Sequence, residues 1–259
     1  MTNRGYDYYG LVADTWDMWR GDPANQVDHF FFLDIVRQYG QPVLDVGCGT
    51  GRILLNYLSE GIDIDGVDNS PEMLAICRAK AVRLGPSPTL YQQRMEALNL
   101  PRTYRTILVP SSTFQLVTDW DVARQTLRRF WSHLQTGGAC VTQFANDWRE
   151  GEPLDTGWIL VLDKPRSEDG ASVRSWGREW CVPEQQLWHA EQRFEVELNG
   201  KIIQTDHQYR SPEGRWYTQT QAIQLFRDVG FTDIQLFREF TLEPALETDR
   251  LFCALGVKP

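Results

Sequence analysis

The 259-residue sequence predicts an α/β fold: a mostly parallel sheet with helices on both faces, interrupted once by an antiparallel insertion. Three observations predict it. From Pro42 onward, short apolar runs alternate with amphipathic segments, the pattern of βαβ units. After Asn146 the apolar period drops from 3.6 to 2, and six of the ten tryptophans (148, 158, 176, 180, 188 and 216) fall in the next 70 residues. From Thr218 the helix–strand alternation returns.

Each element has its own signal. The first 40 residues read as helical and aromatic, with Tyr8, Tyr9, Trp16 and Trp19 ahead of the apolar run 30–36. Residues 43–46 are expected as a strand, 50–59 as a helix and 62–67 as a second strand. Ser70 is an N-cap residue and Pro71 suits the first helical position, so a helix over 72–84 follows and stops at Gly85-Pro86. Residues 89–93 and 106–109 read as strands three and four. Asp119 caps a helix running to Leu134 that Gly137-Gly138 ends, and 139–144 is the fifth strand.

Within the insertion, 187–198 alternates cleanly. Trp188, Ala190, Phe194, Val196 and Leu198 face one way, and His189, Glu191, Arg193, Glu195 and Glu197 the other. Asn199-Gly200 supplies the positive φ that a two-residue hairpin turn needs, so 201–209 is the return strand. A regular register then opposes Leu198 to Lys201, Val196 to Ile203, Phe194 to Thr205 and Gln192 to His207, which puts His207 and Tyr209 on the apolar face. Residues 173–181 are expected as a third strand of this ribbon. The tail reads as a helix over 218–229 ended by Gly230, then strands over 232–240 and 250–257.

Composition bounds the function. The net charge is −9, and no Lys/Arg run offers the basic footprint that a nucleic-acid partner requires. No apolar run approaches the roughly 20 residues that span a bilayer. The N-terminus is polar and aromatic without an apolar core. A cytoplasmic protein, neither secreted nor embedded in a membrane, is expected. The five cysteines are widely spaced and form no C-x-x-C pair, so neither a disulfide framework nor a metal site is expected.

The chemistry sits at Val43-Leu44-Asp45-Val46-Gly47-Cys48-Gly49-Thr50-Gly51, where an apolar strand runs into a helix. Glycines there let a ligand approach the backbone, and free N–H groups at the helix start can bind it. Seventeen residues after Gly51, the second strand ends in Asp68, placed to accept hydrogen bonds from ribose hydroxyls. A dinucleotide fingerprint would need glycine where Arg52 stands. Asp45 would repel a pyrophosphate, whereas it suits a ligand carrying an ammonium and a sulfonium.

Residues 43–51 resemble the first motif of the class I S-adenosylmethionine-dependent methyltransferases. Asp68-Asn69-Ser70-Pro71-Glu72-Met73-Leu74 resembles the second, and Phe226–Phe231 resembles the helix-to-strand turn near the end of that fold. The resemblance covers roughly residues 6–146 and 217–257. It implies a Rossmann-like seven-stranded sheet whose last two strands form an antiparallel hairpin, with S-adenosylmethionine as cofactor. Domain limits follow: 1–146 and 217–259 for the cofactor-binding domain, 147–216 for an antiparallel lid of the kind found in small-molecule methyltransferases.

By the same resemblance, Asp45, Gly47, Cys48, Gly49 and Gly51 surround the methionine part, Asp68 holds the ribose, and Asn69 and Met73 lie beside the adenosine. The segment Pro110-Ser111-Ser112-Thr113-Phe114 borders the methyl group, with Phe114 shaping the pocket, while Tyr9 and Trp16 close over the cofactor. Arg94 stands where the family often has an acid for the adenine amino group. Either Glu96 takes that contact in a shifted register, or the backbone and Met95 read the adenine.

The resemblance implies a small-molecule acceptor, methylated on N or O by in-line displacement. His207 and Tyr209 are the candidates for a general base, the alternative being a cross-strand histidine bonded to a neighbour. The lid tryptophans either form an aromatic wall for the acceptor or bury area between layers. Two competing readings are a non-catalytic cofactor-binding protein of the same fold and a nicotinamide-dependent oxidoreductase, the latter opposed by Arg52 and Asp45.

Overall fold

The structure, a computed structural model, describes residues 6, 8–19, 26–85, 87–146 and 148–259. Pro86 of the expected Gly85-Pro86 stop, most of the polar N-terminus, and residue 147, where the insertion is expected to begin, lie outside the described residues. The chain builds two sheets. The larger has strands β1 (Val43–Val46), β2 (Ile64–Asp68), β3 (Thr89–Gln92), β4 (Tyr104–Val109), β5 (Leu134–Ala145), β10 (Thr232–Arg238) and β11 (Leu251–Val257). The smaller has β6 (Ile159–Pro165), β7 (Ser172–Val182), β8 (Leu187–Leu198) and β9 (Lys201–Arg215).

The seven-stranded sheet runs in the order β10-β11-β5-β4-β1-β2-β3. β1 to β5 are parallel, and β11 lies antiparallel between β5 and β10. The order reverses beside β1: β1 has β2 on one side and β4 on the other. Ligands of wound sheets bind at such switch points, outside the carboxyl ends of the strands. The seven strands, with their closing antiparallel hairpin, are those the resemblance implies.

Helices α2 (Val27–Tyr39), α3 (Arg52–Ser59) and α4 (Pro71–Leu84) cover one face of this sheet. α5 (Trp120–His133) and α6 (Gln219–Val229) cover the other. Their starts follow the expected chemistry. The Ser70 hydroxyl accepts from Met73 N–H, the Asp119 carboxylate from Asp121 and Val122 N–H, and Thr218 with Gln221 forms a capping box. One expectation fails here. Gly137-Gly138 does not end α5; β5 begins at Leu134, which pairs with Tyr104, and both glycines lie inside the strand across a register irregularity.

The smaller sheet is wholly antiparallel, in the order β6-β7-β8-β9. Its edge strand β6 carried no clear sequence signal. The short helix α1 (Leu11–Asp14) packs Leu11 and Val12 against Leu162, Val173, Phe194 and Val196 of this sheet.

The β8–β9 register corrects the sequence expectation. Leu198 opposes Lys201 as counted, but an irregularity follows in which Glu197 pairs with Ile202 and Val196 with Gln204. The extra residue is a β-bulge, and a one-residue slip turns every later side chain to the opposite face. Phe194 therefore opposes Asp206, and Arg193 opposes His207.

Candidate active site

The turn after β1 is shaped by close backbone packing. Gly47 has φ 71°, and a Cβ there would lie 2.4 Å from Thr113 Cγ2, so only glycine fits. Gly47 and Cys48 N–H both donate to Val67 O, at 2.8 and 3.1 Å, tying the turn to the end of β2. Gly49 N–H donates to Asp68 Oδ2 (2.9 Å) and Ser70 N–H to Asp68 Oδ1 (2.8 Å). The Asp68 carboxylate is thus fixed in place by two backbone donors.

Asp45 is 1% exposed, and its Oδ1 has no hydrogen-bond partner among the described residues. Burial pushes its pKa up to about 7; the Arg52 charge pulls it down and the Asp68 charge pushes it further up. A buried carboxylate oxygen left unpaired is costly. A bound cation would remove that cost.

Asp45 and Asp68 line one cavity, walled by the glycine turn, by Asn69 and Met73 at the start of α4, by Gln93 and Met95 after β3, and by Pro110, Ser111 and Thr113 after β4. The ring of Tyr8 packs 4.9 Å from that of Trp16, and both close the cavity from the N-terminal side. The cavity measures about 80 Å³.

A second cavity of about 540 Å³ adjoins it through shared walls at Tyr6 and Leu116. Its rim includes Glu96 and Arg94, Asp119 at the head of α5, and Tyr209, Arg210 and Glu213 of β9. Tyr6 Oη donates to Glu96 Oε2 (2.5 Å), and Arg94 sits over the Tyr6 ring while pairing with Glu96 Oε1. Burial and Glu96 together push the Tyr6 phenol well above its ordinary pKa.

Residues 43–138 match the family described as a methyltransferase domain. A protein of Geobacillus sp. (strain WCH70), assigned by its name to the methyltransferases, is 26% identical over 225 residues, covering 84% of this chain and 86% of that one. The chain is a methyltransferase, similar to the class I S-adenosylmethionine-dependent enzymes.

This methyltransferase is also 28% identical, over 156 residues, to dTDP-3-amino-3,4,6-trideoxy-alpha-D-glucopyranose N,N-dimethyltransferase of Streptomyces venezuelae, covering 60% of this chain and 57% of that one. Its fold is shared with an S-adenosylmethionine-dependent methyltransferase of Clostridium acetobutylicum ATCC 824. That match has a TM-score of 0.78 at 16% identity over 96% of each chain.

Of the residues expected to line the methyltransferase's cofactor site, the structure gathers Trp16, Asp45, Gly47, Cys48, Gly49, Asp68, Asn69, Met73, Met95, Pro110 and Ser111 on the inner cavity. Three expected residues lie elsewhere. Gly51 is buried behind the turn, where a Cβ would meet Cys77 Sγ at 2.6 Å, so it serves the packing of α3 on α4. Glu96 borders the second cavity, engaged by Arg94 and Tyr6. Tyr9 directs its carbonyl to Gln208 Nε2 (2.8 Å), and Tyr8 takes the cavity wall instead. Phe114 is fully buried among Phe130, Phe144 and Tyr217 and does not shape the pocket.

The catalytic candidates are corrected by the bulge in β9. His207 is turned away from both cavities, its side chain about half exposed, with Nε2 2.6 Å from Glu191 Oε1. Tyr209 is 62% exposed; it borders the second cavity and stacks near Trp180. Asp206, Gln208 and Arg210 take the inward face: Asp206 Oδ2 accepts from Leu11 N–H, and Arg210 lies over the Tyr8 ring. None of the six tryptophans of 148–216 lines either cavity.

Sequence reasoning missed Tyr6, Tyr8, Arg52, Gln93 and Leu116, while Thr113, within the expected segment 110–114, does line the cavity. Gln93 follows the carboxyl end of β3, so the rule that ligands sit there could have found it. Nothing local separates Tyr8 from Tyr9.

Proposed function

We propose that this methyltransferase transfers a methyl group from S-adenosylmethionine to a nitrogen of a small polar acceptor, an amine-bearing sugar or comparable metabolite. The observation that carries the cofactor half is the unpaired Asp45 Oδ1, buried in the same cavity as the backbone-anchored Asp68. Bound there, S-adenosylmethionine supplies a methyl group on a sulfonium, open to direct displacement.

The chain's own residues bind and orient. Asp45 accepts from the ammonium of the methionyl part, and Asp68, with both oxygens aligned by Gly49 and Ser70, accepts from the ribose hydroxyls. Met73 and Met95, both nearly fully buried, offer apolar walls to the adenine. With Glu96 held outside the inner cavity by Arg94 and Tyr6, Met95 and the neighbouring backbone read the base, the second of the two options left by the sequence.

Support for nitrogen is chemical. Among the described residues lining the inner cavity there is no histidine or lysine, and both carboxylates are assigned to the cofactor. The carboxylates of the second cavity are engaged, Glu96 by Arg94, Glu213 by Arg210 and Asp119 by N–H groups at the head of α5. A neutral amine needs no base to attack, whereas a hydroxyl generally does. The acceptor enters through the second cavity and meets the methyl group between Tyr6 and Leu116. Holding the reacting atoms at about 3–3.5 Å then supplies much of the rate. The Streptomyces venezuelae relative is named as acting on an amino sugar's nitrogen, which supports the same acceptor class.

A methyl-transfer assay over a panel of nucleotide-linked and free amino sugars, alkyl amines and phenols tests this. Turnover with an amine is expected. Turnover confined to phenols would overturn the nitrogen assignment.

A further inference from the structure

Arg52 is the single cationic residue among the described residues lining the inner cavity. Its guanidinium is held unusually firmly. Nη1 donates to Asp28 Oδ1 (2.8 Å) and Gln26 Oε1 (2.8 Å), and Nη2 donates to Asp28 Oδ2 (2.6 Å). The side chains of Arg52 and Asp28 are only 10% and 9% exposed. Ion pairs this dry repay their desolvation poorly, and apolar residues of like volume serve stability as well or better. Burying this pair on a cavity wall therefore asks for a role beyond joining α2 to α3.

The donor count points to that role. A guanidinium has five N–H groups arranged along two usable edges. Asp28 occupies the end edge formed by Nη1 and Nη2, and Gln26 takes the other Nη1 hydrogen. Among the described residues, the side edge, Nε–H with the remaining Nη2–H, is met only by a long contact to Ser111 Oγ at 3.4 Å. Ser111 itself lines the cavity after β4. That edge matches a carboxylate in two-point geometry.

We propose that the side edge of Arg52 binds the carboxylate of the cofactor's methionyl group, with Asp28 as the positioning residue that aims it. This rests on the cofactor reading above and extends it. Asp45 and Arg52 together then read the two charges of an amino-acid end, so the cavity discriminates between nucleosides that carry that end and nucleosides that do not. Asp28 acts only through Arg52: it fixes the guanidinium plane and balances its charge when the cavity holds no anion.

Two ligands separate this from a structural role. S-adenosylhomocysteine carries the amino-acid end; 5′-methylthioadenosine has the same nucleoside and sulfur without it. Both would be titrated calorimetrically against the wild type, Arg52→Lys, Arg52→Met and Asp28→Asn, with thermal melts confirming folding. Arg52→Met should weaken S-adenosylhomocysteine about 10- to 100-fold, as expected for a lost charge-assisted hydrogen-bonded pair, and leave 5′-methylthioadenosine within about twofold. Arg52→Lys, keeping the charge but losing the planar edge, should fall between. Asp28→Asn should weaken S-adenosylhomocysteine selectively by a smaller factor. Equal weakening of both ligands, or none, would overturn the assignment while leaving the cofactor reading intact. A wild type that binds neither ligand would sink both.

Discussion

The turn at 47–51 and the β8–β9 ribbon both aim side chains at the same cleft, yet they are determined at different range. At the turn, each constraint comes from the immediate backbone: the positive φ of Gly47, its contact with Thr113, and the N–H groups of Gly49 and Ser70 on Asp68. In the ribbon, the direction of residues 204–210 depends on whether one extra residue near Ile203 is accommodated. The first arrangement tolerates no substitution but is readable position by position. The second is decided by packing across the sheet, where Asp206 and Gln208 engage the N-terminal segment at Leu11 and Tyr9.

That contrast can be broken or sharpened by mutation. The largest effect is expected for Gly47→Val, which combines a β-branched residue at positive φ with a clash against Thr113. Loss of S-adenosylhomocysteine affinity by at least ~100-fold, about 3 kcal/mol, should be read by calorimetry. Asp68→Ala follows, with a loss of roughly 1.5–3 kcal/mol for S-adenosylhomocysteine and 5′-methylthioadenosine alike, since both carry the ribose.

Asp45→Asn should split binding from stability. In the folded protein this carboxyl titrates near 7 instead of its ordinary 3.8. The unfolded chain therefore releases its proton first, and the group's contribution to stability declines as pH rises from about 4 to about 7. Above that window Asp45→Asn should raise the melting temperature of the ligand-free protein by the equivalent of about 1–3 kcal/mol. It should also weaken S-adenosylhomocysteine. In the wild type, affinity for that ligand should fall as pH drops below about 7, while 5′-methylthioadenosine, having no ammonium, should show no such dependence.

Smaller effects belong to the four-stranded antiparallel sheet. Gln208→Ala removes the bond to Tyr9 O and should cost ~1 kcal/mol in thermal unfolding. His207→Ala, on the outward face, should leave kcat and KM within about twofold. A large drop in kcat for His207→Ala would restore the regular register and return that histidine to the cleft.

The legibility of this chain in its sequence follows the same division. The helix caps at Ser70, Asp119 and Thr218, the glycine turn and Asp68 announce themselves because each acts on atoms within a few residues. Gly137-Gly138 misleads because β4 recruits Leu134 into the sheet, a pairing of residues 30 apart. His207 misleads because alternation in β8 and the Asn199-Gly200 turn fix only the start of the register, and the bulge beyond it leaves no residue-type mark. Arg52 is visible only as a missing glycine until Asp28, 24 residues away, is seen to hold it. Tyr8 in place of Tyr9 is decided by where Gln208 and Ser70 catch the backbone, at Tyr9 O and Tyr8 O.

The most direct test is a crystal structure of the protein with S-adenosylhomocysteine. The ribose hydroxyls should lie within hydrogen-bond distance of Asp68 and the ammonium within that distance of Asp45 Oδ1. A ligand bound with its ribose away from Asp68, or with no cation reaching Asp45, would contradict the account.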